Sequence, residues 1–195
     1  MLIRSYNKTE CIKGCTLFND KSKYNYWENR TVTTDELEIV KFINSNVFKK
    51  KVNILHIGIG NSYVAENIYN FKKIDGITIS SNELSYANKL NINNYKAHFL
   101  NKLSRNALDK ESLSKSYDLI IDANLKSFSC CEIAFNKLFN NYTSKLSING
   151  LIITGRKGMS WSRTVKPVYT FSFTKIFYKR LKEYDGPSSN ILTIE

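Results

Sequence analysis

The sequence predicts an α/β fold built on a doubly wound, mostly parallel sheet, and three observations carry that reading. Five short apolar runs between Val52 and Thr154 are separated by stretches with helical spacing, and strands that alternate with helices join in parallel through right-handed crossovers. The first run, Val52 to Ile57, ends on Gly58 and Gly60 just before a helical stretch, which is the strand, tight turn and helix order of a ligand-binding α/β unit. The chain has 195 residues, 42% of them hydrophobic, and no internal repeat or linker, so it fits one domain with one sizeable core.

The elements follow in order. Thr33-Thr34-Asp35-Glu36 is a capping box that opens a helix with Leu37, Val40, Ile43 and Val47 on one face, and this helix is expected to cover the first strand. Val52, Ile54, Leu55 and Ile57 leave little room for polar residues, as in a parallel strand buried on both faces. After the glycine turn, Val64, Ile68 and Phe71 recur at helical spacing. A second strand around Gly76 to Ile79 leads to a helix whose apolar positions include Leu84, Ala87 and Leu90. A third strand is expected at Tyr95 to Leu100 and a less regular helical stretch at Leu108 to Leu113. Tyr117 to Asp122 forms the fourth strand and ends in an acid. The helix from Cys130 to Leu146 places Ile133, Leu138, Tyr142 and Leu146 near one face. Asn149-Gly150 marks its stop before the fifth strand, Leu151 to Thr154.

The glycine turn narrows the ligand. Gly58 and Gly60 let the chain turn tightly and bring backbone N–H groups close to a ligand. A dinucleotide fingerprint requires a third glycine at position 63 and an acid about 20 residues after the first glycine; this chain has Tyr63 and Thr78. A P-loop requires Gly-Lys-Ser/Thr, and Gly60-Asn61-Ser62 lacks the lysine. Nicotinamide and ATP readings both weaken.

Ile54-Leu55-His56-Ile57-Gly58-Ile59-Gly60-Asn61-Ser62 resembles the first motif of class I S-adenosylmethionine-dependent methyltransferases, and Gly76-Ile77-Thr78-Ile79-Ser80-Ser81-Asn82-Glu83 resembles their second-strand motif. The latter is similar to the form found in cyclopropane fatty acid synthases and related small-molecule methyltransferases, where Gln usually stands at the position of Glu83. The resemblance runs loosely from Val52 to Thr154. It implies a seven-stranded sheet with helices on both faces and a C-terminal antiparallel hairpin, for which the tail offers Ile176 to Tyr184, a turn at Asp185-Gly186-Pro187, and Ile191 to Ile194. On this reading residues 1–195 form a single methyltransferase-like domain: a cap segment and helix at 1–50, a cofactor core at 51–155, and a substrate-side loop with the hairpin at 156–195.

The resemblance also implies S-adenosylmethionine as cofactor, held by His56, Gly58, Gly60, Ser62, Thr78, Ile79, Glu83 and Asn101. Two positions depart from the pattern. His56 stands where an acid usually holds the cofactor's amino acid end, and Thr78 stands where an acid usually binds the ribose. Glu83 is placed to supply that carboxylate, or to close a capping box with Ser80. Asp122 is the candidate for proton removal from an acceptor, against a structural acid capping the next helix or binding cofactor. Asn124, Arg156, Lys157 and Trp161 are the expected acceptor contacts; Gly155-Arg156-Lys157-Gly158 combines glycines and cations where substrates approach in this fold.

Composition bounds the partners. No run approaches the roughly 18 apolar residues of a membrane span, and the first residues lack the apolar core of a signal peptide, so no membrane partner and a cytoplasmic location are expected. Four cysteines do not make a disulfide framework; Cys11 and Cys15 lack a third cysteine at Phe18, the Cys130-Cys131 pair cannot form a tetrahedral site alone, and no metal is expected. The net charge of +12 is spread through a lysine- and asparagine-rich chain, yet it would attract acidic partners at low salt. The resemblance to small-molecule methyltransferases implies a small or medium-sized acceptor. The open alternatives are an RNA methyltransferase, a binding module with a degenerate cofactor site, and an enzyme transferring another group of S-adenosylmethionine such as its aminoalkyl chain.

Overall fold

The computed structural model describes residues 31–47, 50–103, 107–125, 132–155, 183–185 and 191–194. Helix α1 (Thr34–Phe42) continues into a wider π-type turn, Ile43–Val47. It opens with the expected capping box: the Glu36 N–H donates to the Thr33 hydroxyl at 3.2 Å, and the Thr33 N–H to the Glu36 carboxylate at 2.8 Å. Its buried face differs from the expected one. Glu36, drawn inward by the box, is buried with Ile39, Val40 and Ile43, while Leu37 remains 49% exposed.

Five parallel strands follow: β1 (Val52–Ile57), β2 (Phe71–Thr78), β3 (Tyr95–Phe99), β4 (Tyr117–Ile121) and β5 (Leu146–Gly155), in the order β3-β2-β1-β4-β5. Strand order reverses between β1 and β4. That is the switch point, where the loops leaving adjacent strands diverge and open a crevice at their carboxyl ends. Beyond β5, Ile191–Ile194 is set antiparallel to it and Glu183–Asp185 antiparallel to that segment. Residues 186–190, and most of the strand expected from Ile176, lie outside the described residues.

Both faces of the sheet are covered. Ile54, Ile74, Leu119, Ile121 and Ile153 pack under Ile39 and Val40 of α1, under Ile43 of the π-type turn, and under Val64, Ala65 and Ile68. On the other face, Leu55, Ile57, Ile77, Ile120 and Ile152 meet Leu138, Phe139 and Tyr142 of α4 (Glu132–Lys145), together with Leu100, Leu103, Leu108 and Leu113 from the β3–β4 connection. The alternation along each strand is what lets one short apolar run feed two cores. The side chain of Ile133 lies outside the described residues.

Three connections differ from expectation. The helix after the glycine turn, α2 (Tyr63–Asn67), is only five residues long; Ile68 is extended, and Phe71 opens β2 by pairing with Val52. The Val64, Ile68 and Phe71 spacing thus spans a helix, a connector and a strand. The Asn44 amide closes this helix by donating to the Asn67 carbonyl at 2.7 Å. The Leu108–Leu113 stretch contains a single 3₁₀ turn, Ala107–Asp109. Asn149-Gly150 does not stop α4, which ends at Lys145. Tyr117 pairs with Leu146 but Leu119 with Leu151, so the extra residues of β5 bulge out, with Asn149 at φ 66° and Ile148 93% exposed. The exposed Ile148-Asn149 pair, with Asn149 in the left-handed region, is why the segment reads as a turn.

Candidate functional site at the carboxyl edge of the sheet

The turn after β1 is built by its neighbours. Gly58 adopts φ 72° and Gly60 φ 55°, a left-handed conformation that costs glycine little. Gly58 is exposed, and a Cβ added there would meet nothing within 4 Å, so the turn borders open space at this residue, while Ile59, Gly60 and Ser62 are buried. The Gly58 N–H donates to the Ile77 carbonyl at 2.8 Å, which fixes the turn to the end of β2. Ile59, fully buried, packs where Gly76 lacks a side chain: a Cβ there would stand 2.8 Å from Ile59 and 2.9 Å from the Tyr95 ring. Gly76 is therefore a packing glycine.

Ser62 is also fully buried and holds φ 60° without being glycine. Its hydroxyl shares a 2.9 Å hydrogen bond with the Tyr95 hydroxyl, tying the turn to β3. Burial pushes the Tyr95 phenol up, the Ser62 bond opposes this, the nearby Glu83 and Glu66 charges add to the rise, and the result is about 12. Because α2 is so short, ligand contacts at this turn would come from its own backbone groups and not from a long helix dipole.

At the end of β2, the Thr78 hydroxyl donates to the Glu83 carboxylate and accepts the Ser80 N–H at 2.9 Å. Helix α3 (Ser81–Lys89) is capped by the Ser80 hydroxyl, which accepts the Glu83 N–H at 3.3 Å. The Glu83 carboxylate thus lies beside Thr78 at the carboxyl end of β2. Ile79 is half-buried in this connection. His56 is 4% exposed, one residue inside the end of β1, and pairs in register with Gly76 and Ile121; by strand alternation it shares the face of Ile54.

Beyond β3, the Asn101 side chain accepts the Leu103 N–H at 2.9 Å. Lys102 extends across to the end of β4. Its ammonium donates to Asp122 Oδ2 at 2.6 Å and to the Asn124 carbonyl at 3.3 Å. Asp122 is 1% exposed; the Tyr142 hydroxyl donates to its Oδ2 at 2.8 Å and the Asn124 N–H to its Oδ1 at 3.1 Å. Burial, then the Asp122 charge, pushes the Tyr142 phenol well above its ordinary range. Asn124 is exposed beside this cluster.

The first turn of α1 reaches the same edge. A Cβ at Gly155, the last residue of β5, would stand 2.6 Å from the Asp35 carboxylate and 2.8 Å from the Ala123 carbonyl. The structure thus gathers Gly58, Gly60, Ser62, Thr78, Ile79, Glu83, Asn101, Asp122 and Asn124 along one edge, with His56 just inside it. Arg156, Lys157 and Trp161 lie outside the described residues, as do the four cysteines. Lys102 and Asp35 carry no local signal in the sequence; each reaches its place from an element distant in the chain. Among the described residues no group of acids, histidines and cysteines could hold a metal ion, and no helix is long and apolar enough to cross a membrane.

No family description matches the chain, and no curated protein matches it. Solved structures do. The N-methyltransferase NodS from Bradyrhizobium japonicum WM9 is similar over 82% of this chain and 91% of its own, at 14% identity and a TM-score of 0.57. An rRNA methylase from Streptococcus thermophilus is similar over 85% and 98%, at 10% identity and 0.57. A ribosomal protein L11 methylase from Lactobacillus delbrueckii subsp. bulgaricus is similar over 85% and 80%, at 14% identity and 0.55. A second NodS structure, in complex with S-adenosyl-L-homocysteine, gives 0.54 at 16% identity. Strand order, switch-point crevice and these likenesses agree: the chain has the fold of the class I S-adenosylmethionine-dependent methyltransferases.

Proposed function

We propose that the protein binds S-adenosylmethionine and transfers its methyl group to a small or medium-sized acceptor. The observation that carries this reading is the pairing of an open glycine turn at Gly58 with a carboxylate, Glu83, set beside Thr78 on the adjacent strand end. The turn leaves space where a side chain would stand, and the carboxylate suits a ribose diol. When bound, the cofactor supplies a methyl on a sulfonium: the acceptor's lone pair forms the new bond to carbon while the S–C electron pair stays on sulfur.

The chain's own residues chiefly hold and orient. Gly58 and Gly60 border the amino acid end, with His56 behind them as a hydrogen-bonding imidazole in place of the usual acid. Thr78 steadies Glu83 toward the ribose, Ile79 offers apolar contact, and Asn101 borders the far side. Ser62 acts through Tyr95 to keep the turn in shape. Asp122, with both oxygens engaged, is better suited to fixing the β4 turn than to taking a proton. Asn124, Arg156, Lys157 and Trp161 border the acceptor.

The same proposal covers the seven-stranded sheet with its terminal hairpin, the division at residues 50 and 155, and a cytoplasmic location. A thermal-shift series tests it: S-adenosylmethionine and S-adenosylhomocysteine raise the melting temperature, while NAD and ATP do not. Stabilisation by NAD or ATP alone would contradict the reading. An RNA acceptor is the second reading, favoured by the net charge of +12.

A further inference from the structure

We infer that Lys102 sets how strongly the site distinguishes a sulfonium from its neutral thioether, by neutralising the buried charge of Asp122. This rests on the cofactor reading above. Ile121 pairs with His56, so Asp122 is level with Ile57 on the neighbouring strand, next to the Gly58 turn. Adjacent strands lie about 4.8 Å apart, which puts the carboxylate within Coulombic reach of a ligand at that turn.

The hydrogen bonds at Asp122 separate what each partner contributes. Tyr142 donates to Oδ2 and the Asn124 N–H to Oδ1, so both oxygens have donors besides the lysine. Beyond its bond to the Asn124 carbonyl, what the Lys102 ammonium adds to Asp122 at 2.6 Å is charge. Its side chain is 11% exposed and that of Asp122 2%, so solvent screens neither well. Together they form a neutral pair. Without the ammonium, the carboxylate would act on the ligand as a fixed negative charge in a low dielectric.

Sulfonium and thioether forms of the cofactor otherwise present the same groups to the protein. The ratio of their affinities therefore reads the electrostatic field at sulfur and cancels most other contributions. A bare Asp122 would favour the cationic form in the ground state, and methyl transfer disperses that cation, so the barrier would rise. Neutralising Asp122 avoids this penalty and keeps the two forms closer in affinity.

Calorimetric titration of the full chain with S-adenosylmethionine and S-adenosylhomocysteine tests the inference. Lys102→Met is expected to raise the ratio of S-adenosylmethionine to S-adenosylhomocysteine affinity about tenfold. Lys102→Arg keeps the wild-type ratio. Asp122→Asn, which leaves the ammonium in place, shifts the ratio the opposite way and carries the test if Lys102→Met does not fold. Equal losses for both ligands, with the ratio unmoved in Lys102→Met and Asp122→Asn, would overturn the inference and make Lys102 a structural tie. A wild type that binds neither ligand would instead overturn the cofactor reading, and this inference with it.

Discussion

Asp75 sits fully buried in β2 and takes hydrogen bonds from Lys73 at 3.0 Å, Tyr117 at 2.9 Å and the Ser114 hydroxyl at 2.8 Å, with His98 at 3.2 Å. Burial alone would raise its carboxyl, but the bonds from His98, Ser114, Lys73 and Tyr117 outweigh it and hold the group well below the usual carboxylate range. Burial, together with the Asp75 charge, pushes the Tyr117 phenol up. Removing one partner of such a network leaves the others unmatched, so Asp75→Asn is expected to cost about 3 kcal/mol at neutral pH in urea unfolding. The sign follows from linkage: the folded value lies below the unfolded one of about 3.9, so the contribution is complete above that pH and is lost as pH falls toward the folded value. The gap between wild type and variant should narrow below about pH 4; an unchanged gap would assign the cost to shape alone. None of this was legible in the sequence, since His98 and Tyr117 lie 23 and 42 positions away. Gly58 and Gly60 were legible because their demand is local, a positive φ at a strand end.

Elements divide along the same line. The capping box of α1 reads correctly because both of its bonds lie within four residues, whereas Glu83 takes the hydroxyl of Thr78 on the preceding strand, outside its own helix turn. The short α2 differs from the sequence reading because apolar spacing does not register where a helix is closed by a side chain from another element, as Asn44 does here; the β5 bulge differs because the exposed Ile148 and the positive-φ Asn149 look, locally, like a turn. Gly76 was legible as part of a motif but not as the seat of Ile59 and Tyr95. Gly76→Val is expected to cost about 1–3 kcal/mol by overpacking and to weaken S-adenosylhomocysteine binding, because Ile59 belongs to the turn. Tyr95→Phe keeps the ring and strands the buried Ser62 hydroxyl, at about 1–2 kcal/mol in thermal unfolding. If Gly76→Val leaves ligand affinity intact, the turn is not set by that packing.

At the scale of the whole molecule, alternating strands and helices with right-handed crossovers led to the parallel sheet and to the edge where a ligand binds. Its two-faced core follows from runs such as Val52 to Ile57, apolar on both sides. The ion pair between the ends of β3 and β4 was not legible, because it depends on how far a loop crosses the sheet. The net charge of +12 makes a separate prediction. Affinity for RNA should fall with about one unit of log-log slope per phosphate contacted, leaving no sub-micromolar complex near physiological salt; a complex that persists there would move the acceptor to RNA. The central claim is that this crevice is a working cofactor site. Calorimetric titration of the wild type and of Gly60→Val with S-adenosylhomocysteine tests it most directly. One-to-one binding by the wild type, abolished in a folded Gly60→Val, is the predicted result; no heat of binding by the wild type at millimolar ligand would contradict it.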